Sequence, residues 1–168
     1  MFYKLKNFML TSYKDLVKEC KGLFADEKDF FANASNFCSL IYHNVELLNW
    51  VGFYLLSKDE LLLGPFQGKP ACIRIKMGDG VCGFSAELKE TVVVEDVHRF
   101  KGHIACDSAS RSEIVIPIIK NKKLFGVLDI DSPVVDRFSE QDRRRLEQLL
   151  RILVNNSDLS KVWQYYNS

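Results

Sequence analysis

The sequence predicts an α+β fold in which helices pack on a mainly antiparallel β-sheet. Hydrophobic residues recur at helical spacing near both ends of the chain and alternate in the region between them. Several short strand-like segments follow one another and are joined by turns, which favours antiparallel pairing. The 168 residues fit one domain with a core of its own.

Two helices are predicted at the N-terminal end, within residues 12–45. Apolar residues recur at helical spacing over residues 16–24 and again over residues 30–41. Cys20 and Cys38 lie on these apolar stripes, where a free cysteine behaves as a small hydrophobic side chain. We therefore expect both thiols to be structural.

The sheet and its loops are predicted between residues 49 and 131. Residues 49–56 form an alternating strand that points two sets of side chains to opposite faces. One set is Val51, Phe53 and Leu55, and the other is Trp50, Gly52, Tyr54 and Leu56. Further strands are expected at residues 61–63, 72–75 and 91–94, with a Gly/Pro-rich connection at 64–70 and a short helix at 81–88.

The last part of the sheet is a predicted hairpin that leads into a C-terminal helix. Its strands cover residues 114–119 and 124–131. The helix begins at about residue 139, where Ser139 and Asp142 have the spacing of a capping box. The aromatic residues near the C-terminus are interpreted as either contact residues or a frayed tail; they are Trp163, Tyr165 and Tyr166.

Composition and charge exclude several classes of function. Hydrophobic residues make up 47% and charged residues 27%, as in soluble globular proteins, and the net charge is +1. The basic run at residues 143–145 has acidic neighbours and is interpreted as a solvated helix face. No apolar run is long enough for a membrane span, and residues 1–6 do not begin a signal peptide. We expect a cytoplasmic protein with no nucleic-acid or membrane partner.

A pair of carboxylates and a pair of aromatic residues are candidates for one pocket. Asp129 and Asp131 are two residues apart in a strand, so their side chains leave the same face. They could bind a cation, share a proton or reach water; alternatively, the strand ends there and both are exposed. Trp50 and Tyr54 share a face with Gly52 between them, although such a stripe is more often part of a core.

Three of the five cysteines are candidates for redox chemistry. The chain contains no CxxC pair and no zinc-ligand array with its three histidines. Cys106 lies in a long polar loop at residues 96–112 together with His98, His103 and Arg111, and nearby cationic groups favour a thiolate. The alternative is an incidental surface thiol. Cys72 and Cys82 are candidate partners for it, but sequence separation alone does not establish a pairing.

In the motifs that contain these residues, the sequence resembles the free methionine-R-sulfoxide reductases, a GAF-domain family. The resemblance runs from about residue 49 to residue 150, and its blocks are NWVGFYLL, LGPFQGKPACIRI, GVCGFSA, VVVEDV, HIACDSASRSEIVIP and GVLDIDSP. It implies a GAF-type domain with an antiparallel sheet between helices, paired as a homodimer. Phe84 and Ser85 stand where smaller residues are common in the family.

The resemblance also implies a role for each candidate residue. Cys106 corresponds to the cysteine that attacks the sulfoxide, and Cys72 and Cys82 correspond to resolving cysteines, with Cys72 the main partner. The substrate-binding residues are Trp50, Tyr54, Glu113, Asp129 and Asp131. The implied reaction converts free methionine-(R)-sulfoxide to methionine as a protection against oxidative stress. Thioredoxin and NADPH act as the external reductant, and no metal or organic cofactor is bound.

Two other functions and one structural conflict stay open at this point. A GAF-type module that binds a small molecule without turnover would keep the pocket, and a thiol redox sensor would keep the cysteines. The conflict concerns Glu113, because a two-residue turn at Asn121 and Lys122 would pair it with Ile130, on the face opposite both aspartates. We predict a bulge near Pro117 or an odd-length turn that restores the shared face.

Overall fold

The computed structural model describes residues 12–102 and 107–167, which form a six-stranded sheet with helices on both faces. The spatial order of the strands is β3-β2-β1-β6-β5-β4, and every neighbouring pair is antiparallel. In chain order the elements are α1 (Tyr13–Leu23), α2 (Phe30–Asn44), β1 (Trp50–Ser57), β2 (Glu60–Gly68), β3 (Arg74–Lys76), α3 (Gly80–Leu88), β4 (Val92–Val94), a 3-10 helix (Val97–Arg99), β5 (Ser112–Lys120), β6 (Lys123–Ser132), α4 (Glu140–Asn156) and α5 (Ser160–Asn167). The predicted α+β class is therefore confirmed.

One face of the sheet carries the larger core, which α1, α2 and α4 cover. Ser12 and Asp15 cap α1 reciprocally, and Asp29 accepts a hydrogen bond from the Ala32 N–H at the start of α2. Cys20 and Cys38 are fully buried in this core, as predicted. The predicted alternation of β1 is also confirmed, since its set at 51, 53 and 55 lies in this core.

The opposite face carries a smaller core beneath α3. Trp50 and Tyr54 of β1 lie there with Val115 of β5 and Val127 of β6. Because α3 is only nine residues long, it covers this face incompletely and leaves room beside it for a pocket.

The β5–β6 hairpin contains the predicted bulge. Asn121 and Lys122 form its two-residue turn, both with positive φ (53° and 64°), as hairpin turns of the primed types require. Ile118 pairs with Gly126 while Ile119 pairs with Leu124, so Phe125 is the extra residue.

The bulge changes the pairing along the rest of the hairpin by one residue. Glu113 is consequently opposite Asp131 instead of Ile130, and the prediction of a shared face is confirmed. Gly126 makes the local path possible, because its φ is 149° and a Cβ there would overlap the backbone of Tyr54.

The predicted bounds of β2 and β3 were wrong. The Gly/Pro-rich segment at 64–70 was expected to be a connection, but β2 continues through Gly64 and Pro65 to Gly68. These two residues lie opposite Phe53 in a second bulge, where a proline costs no ladder hydrogen bond. The next strand begins at Arg74, so Cys72 lies in the loop before β3 and not on a strand.

The C-terminal part contains two helices. The capping box of Ser139 and Asp142 starts α4 as predicted. The following helix, α5, packs the Trp163 ring against Phe125 at 5.9 Å, whereas Tyr165 is 75% exposed. Within residues 12–102 and 107–167, no helix combines the length and hydropathy of a membrane span.

Candidate active site

Three carboxyl groups lie side by side at the centre of the sheet. Asp131 of β6 pairs with Glu113 on β5 and with Trp50 on β1. Asp129 occupies the next row, between Gly52 and Val115. Glu113 is 5% exposed, Asp129 is 7% exposed and Asp131 is half-buried, so Asp129 and Asp131 do not form an exposed strand end.

These carboxyl groups form the floor of a pocket between the sheet, the start of α3 and the segment that follows residue 106. The pocket holds about 400 Å³, including its open mouth. Its described lining residues are Tyr54, Ile75, Gly80, Val81, Cys82, Asp107, Ser110, Glu113, Asp129 and Asp131. A concave site in which a few polar side chains converge among apolar ones is typical of small-molecule pockets.

Burial sets the protonation of the carboxyl cluster formed by Glu113, Asp129 and Asp131. It raises the pKa of Asp129 to about 7, and hydrogen bonds from Cys82 and Glu113 limit that rise. Burial and the neighbouring Asp129 charge raise the pKa of Glu113, and the same causes raise the pKa of Asp131. The cluster therefore holds protons at neutral pH, with Glu113 as a donor to Asp129.

Cys82 completes the inner end of the pocket. Its Sγ lies 4.0 Å from Oε1 of Glu113, and burial raises the pKa of this thiol well above its usual value. Donor atoms of Cys82, Glu113 and Asp129 lie within 4.8 Å of one another. The hydrogen bonds that join them account for this spacing, and we assign no metal site to them.

The two predicted aromatic residues occupy different places. Tyr54 lines the pocket, and its hydroxyl donates to the backbone oxygen of Cys72 at 2.9 Å. Trp50 lies next to the pocket, where its ring stacks between Tyr54 and Phe66 at centroid distances of 5.9 and 5.4 Å. The ring lies over Gly52, where a Cβ would overlap both Trp50 and Phe66.

The two described candidate cysteines differ in oxidation state. Cys72 is disulfide-bonded, whereas Cys82 is a free buried thiol. Cys106 and His103 lie outside the described residues. His98 and Arg111, which the sequence analysis grouped with Cys106, both contact Asp96, at 3.2 and 3.9 Å.

Sequence reasoning missed a polar group formed by the segment after Cys106 and the residues that contact it. Asp107 and Ser110 line the pocket. Asn49 donates to both of them, at 3.3 and 2.9 Å, and Lys69 lies 3.4 Å from Asp107. The sequence signal for them is the HIACDSASRSEIVIP block, in which Asp107 follows Cys106 directly and Ser110 comes three residues later.

The chain is similar in sequence to a known domain family and to a characterised protein. The family model of the GAF domain matches residues 32–155. The "Free methionine-R-sulfoxide reductase" of Escherichia coli (strain K12) is 49% identical over 138 residues, which cover 82% of this chain and 84% of that protein.

Two solved structures resemble the chain over most of its length. The reduced form of fRMsr of Staphylococcus aureus is 51% identical, with a TM-score of 0.85 and coverage of 87% of this chain and 95% of that one. The free methionine-R-sulfoxide reductase from Neisseria meningitidis, in complex with its substrate, is 42% identical with a TM-score of 0.82. There the coverage is 86% of this chain and 87% of that one.

Proposed function

Because this chain belongs to the free methionine-R-sulfoxide reductases, a family of GAF-domain oxidoreductases, we propose that it reduces free methionine-(R)-sulfoxide through a cysteine relay. The observation that carries the proposal is a small pocket in which three carboxyl groups with raised pKa adjoin a cysteine-bearing loop. Such a pocket combines proton donors with thiol chemistry, which are the two requirements for reducing a sulfoxide.

Cys106 is the nucleophile of the proposed relay. Its assignment is supported by the position of Asp107, the next residue, in the pocket wall. The Cys106 thiolate attacks the sulfoxide sulfur, and the oxygen ends on Cys106 as a sulfenic acid while methionine leaves as a thioether. The methionine sulfur gains two electrons and Cys106 loses two.

Glu113 supplies the proton that this step requires. The sulfoxide oxygen needs a proton as its bond to the methionine sulfur breaks, and a buried carboxyl with a raised pKa retains one near neutral pH. The hydrogen bond from Glu113 to Asp129 supports Glu113 as the proton holder and Asp129 as its acceptor. Asp131 and the aromatic pair of Trp50 and Tyr54 orient the substrate.

Cys72 is the main resolving cysteine. Its thiol displaces water from the Cys106 sulfenic acid and forms a disulfide, which is an ordinary fate of a sulfenic acid beside a thiol. The assignment is supported by the disulfide-bonded state of Cys72, by its place in an irregular loop and by the free, fully buried thiol of Cys82. Cys82 remains a secondary resolving cysteine of the proposal.

Thioredoxin, itself reduced at the expense of NADPH, returns the disulfide to thiols by exchange. We place the enzyme in the cytoplasm, where a thioredoxin system keeps thiols reduced, and we propose a homodimer as its working form. The product is methionine, so the reaction repairs oxidised free methionine under oxidative stress.

The test is NADPH consumption in the presence of thioredoxin and thioredoxin reductase, with the R and S epimers of free methionine sulfoxide compared. Wild type is expected to turn over the R epimer alone. Cys106→Ser is expected to be inactive, and Cys20→Ala, which removes a thiol buried in the larger core, is expected to retain activity.

Two outcomes would overturn the proposal in different ways. A folded, reduced protein that binds methionine sulfoxide but turns over neither epimer would be a binding module. Formation of a disulfide with peroxide, without any methionine product, would identify a thiol redox sensor.

A further inference from the structure

We propose that residues 72–74, here called the edge segment, form the docking surface for the protein dithiol that reduces the enzyme, and that this dithiol attacks the Cys72 sulfur. The inference rests on the proposed function and deepens it by assigning where the reducing partner binds and which sulfur of the disulfide reacts. The edge segment is not among the described residues that line the substrate pocket, so it is a separate surface.

The edge segment is the uncovered end of an apolar row on β3. Ile75 is 5% exposed and belongs to the smaller core, whereas Ile73 is 67% exposed. The ladder to β2 continues one residue before β3, because the Leu63 N–H donates to the Ile73 carbonyl at 2.9 Å. Ile73 and Ile75 therefore share a face, and Ile73 presents apolar area directly beside the disulfide-bonded Cys72.

The backbone of the edge segment can pair with another chain. Among the described strands, β3 is the first of the sheet, so only β2 pairs with it. Residues 63 and 73 form a hydrogen-bonded pair of the ladder, and hydrogen-bonded pairs alternate along antiparallel strands. Arg74, which is opposite Leu62, consequently points its N–H and C=O away from β2. An extended segment of a partner can bind these two groups as an added strand.

The charge around the edge segment defines the partner further. Residues 68–76 contain Lys69, Arg74 and Lys76 and no acidic residue, and all three cations are exposed. Lys69 and Arg74 contact Asp107 and Glu60, which belong to other segments. A partner with acidic residues around its dithiol therefore matches this surface, and such complementarity accelerates association at low salt.

Access and leaving-group chemistry both favour attack on the Cys72 sulfur. Cys72 is half-buried in an exposed loop, so its sulfur can be approached from the side of solvent. The partner thiolate forms a bond to this sulfur, the Cys72–Cys106 bond breaks, and its electron pair leaves on Cys106. Exchange is faster when the leaving thiol has the lower pKa, and Cys106 is the thiolate nucleophile of the proposed relay.

A second exchange step completes the reduction. The second thiol of the partner attacks the partner's own sulfur in the mixed disulfide, and Cys72 leaves as a thiolate that takes up a proton. The partner loses two electrons and becomes a disulfide, while the enzyme gains two electrons and recovers both thiols.

The sulfur that is attacked can be identified with thioredoxin as the probe. A thioredoxin variant whose second active-site cysteine is serine stops the exchange at the mixed disulfide. It is mixed with the disulfide form of the wild-type enzyme, which is prepared with diamide, and free thiols are alkylated at once. Mass spectrometry of the peptides is expected to find thioredoxin linked to Cys72 and an alkylated Cys106. A link to Cys106 would overturn the assignment.

The docking surface is tested by the rate constant at which reduced thioredoxin reduces the same disulfide form. The gain of two alkyl groups in the enzyme's mass gives the rate, and dithiothreitol serves as a reductant that needs no docking. Ile73→Ser is expected to lower the thioredoxin rate constant about five- to tenfold and to change the dithiothreitol rate constant under about twofold. The matched control is Ile119→Ser, another exposed isoleucine, which is expected to change neither rate constant.

Two substitutions of one residue separate the backbone from the charge. Arg74→Gln and Arg74→Pro remove the same charge, but only proline also removes the N–H that points away from β2. The thioredoxin rate constant of Arg74→Pro is expected to be about three- to tenfold below that of Arg74→Gln, with equal dithiothreitol rate constants. The wild-type thioredoxin rate constant is expected to fall as salt is raised from 50 to 500 mM, by about tenfold.

Unchanged thioredoxin rate constants in Ile73→Ser and Arg74→Pro would overturn the docking surface, and a rate constant independent of salt would overturn the acidic partner. Equal losses with thioredoxin and dithiothreitol would also overturn it, because they would show a distorted disulfide instead of lost docking. The disulfide form is prepared without methionine sulfoxide, so these outcomes are independent of turnover. Absence of methionine release by wild type would remove the reductase activity alone.

Discussion

Replacing Asp129 by asparagine removes one ionisable group from the carboxyl cluster and keeps its shape. Asp129 is 7% exposed, and its Oδ1 has no hydrogen-bond partner among the described residues. Burial makes ionisation at this position unfavourable in the folded protein, and hydrogen bonds from Cys82 and Glu113 offset only part of that cost. The substitution is therefore expected to stabilise the fold while it removes activity.

The size of the effect follows from the pKa. Folding raises the pKa of Asp129 from 3.8 to about 7, and each factor of ten corresponds to about 1.4 kcal/mol. Between these two values the unfolded chain binds fewer protons than the folded protein, so wild-type stability falls as the pH rises through this window. Asp129→Asn does not titrate and is expected to be more stable by about 2 kcal/mol at pH 5 and about 4 kcal/mol at pH 8.

Urea unfolding of the reduced proteins at pH 5 and pH 8 measures both differences. Asp158→Asn is the control, because Asp158 is an exposed residue whose pKa is lowered by hydrogen bonds that Ser160 donates to it. It is expected to change stability by under about 0.5 kcal/mol at either pH. An Asp129→Asn gain that is the same at both pH values, or a loss at pH 8, would refute the assignment of a carboxyl that is costly to ionise.

Two further substitutions test the pocket. Glu113→Gln keeps a hydrogen-bond donor but no transferable proton, and is expected to lower kcat about 10²- to 10⁴-fold in steady-state assays, with a smaller change in KM. A retained kcat would remove Glu113 as the acid. Gly52→Ala places a Cβ against Trp50 and Phe66 and is expected to cost about 1–3 kcal/mol in urea unfolding. Gly22→Ala is its control, since a Cβ there meets nothing within 4 Å, and a gain of about 0.5–1 kcal/mol is expected.

The parts of the fold that the sequence predicts are those governed by local periodicity. Alternation in β1 predicts which of its side chains lie on each face, and the structure agrees. In the β5–β6 hairpin, a regular two-residue turn conflicts with the shared face of Glu113 and Asp131 that the family resemblance implies. The conflict predicts a bulge near Pro117 or an odd-length turn, and the structure has a bulge at Phe125.

The parts that the sequence does not predict depend on contacts between distant segments. Pro65 normally argues against a strand, but here it lies in a bulge opposite Phe53, and nothing within its own segment indicates that partner. Asn49 and Asp107 are 58 residues apart and meet only because the sheet brings the start of β1 to the loop before β5.

The central claim is tested most directly by methionine release from the reduced protein when no external reductant is present. Wild type and Cys72→Ser are each expected to release one methionine per chain from the R epimer, because the first step needs only Cys106. Wild type is then expected to contain a disulfide, Cys72→Ser is expected to lack the Cys72–Cys106 bond, and Cys106→Ser is expected to release nothing. Equal release by Cys106→Ser and wild type would contradict the relay, and so would methionine release without any loss of thiols.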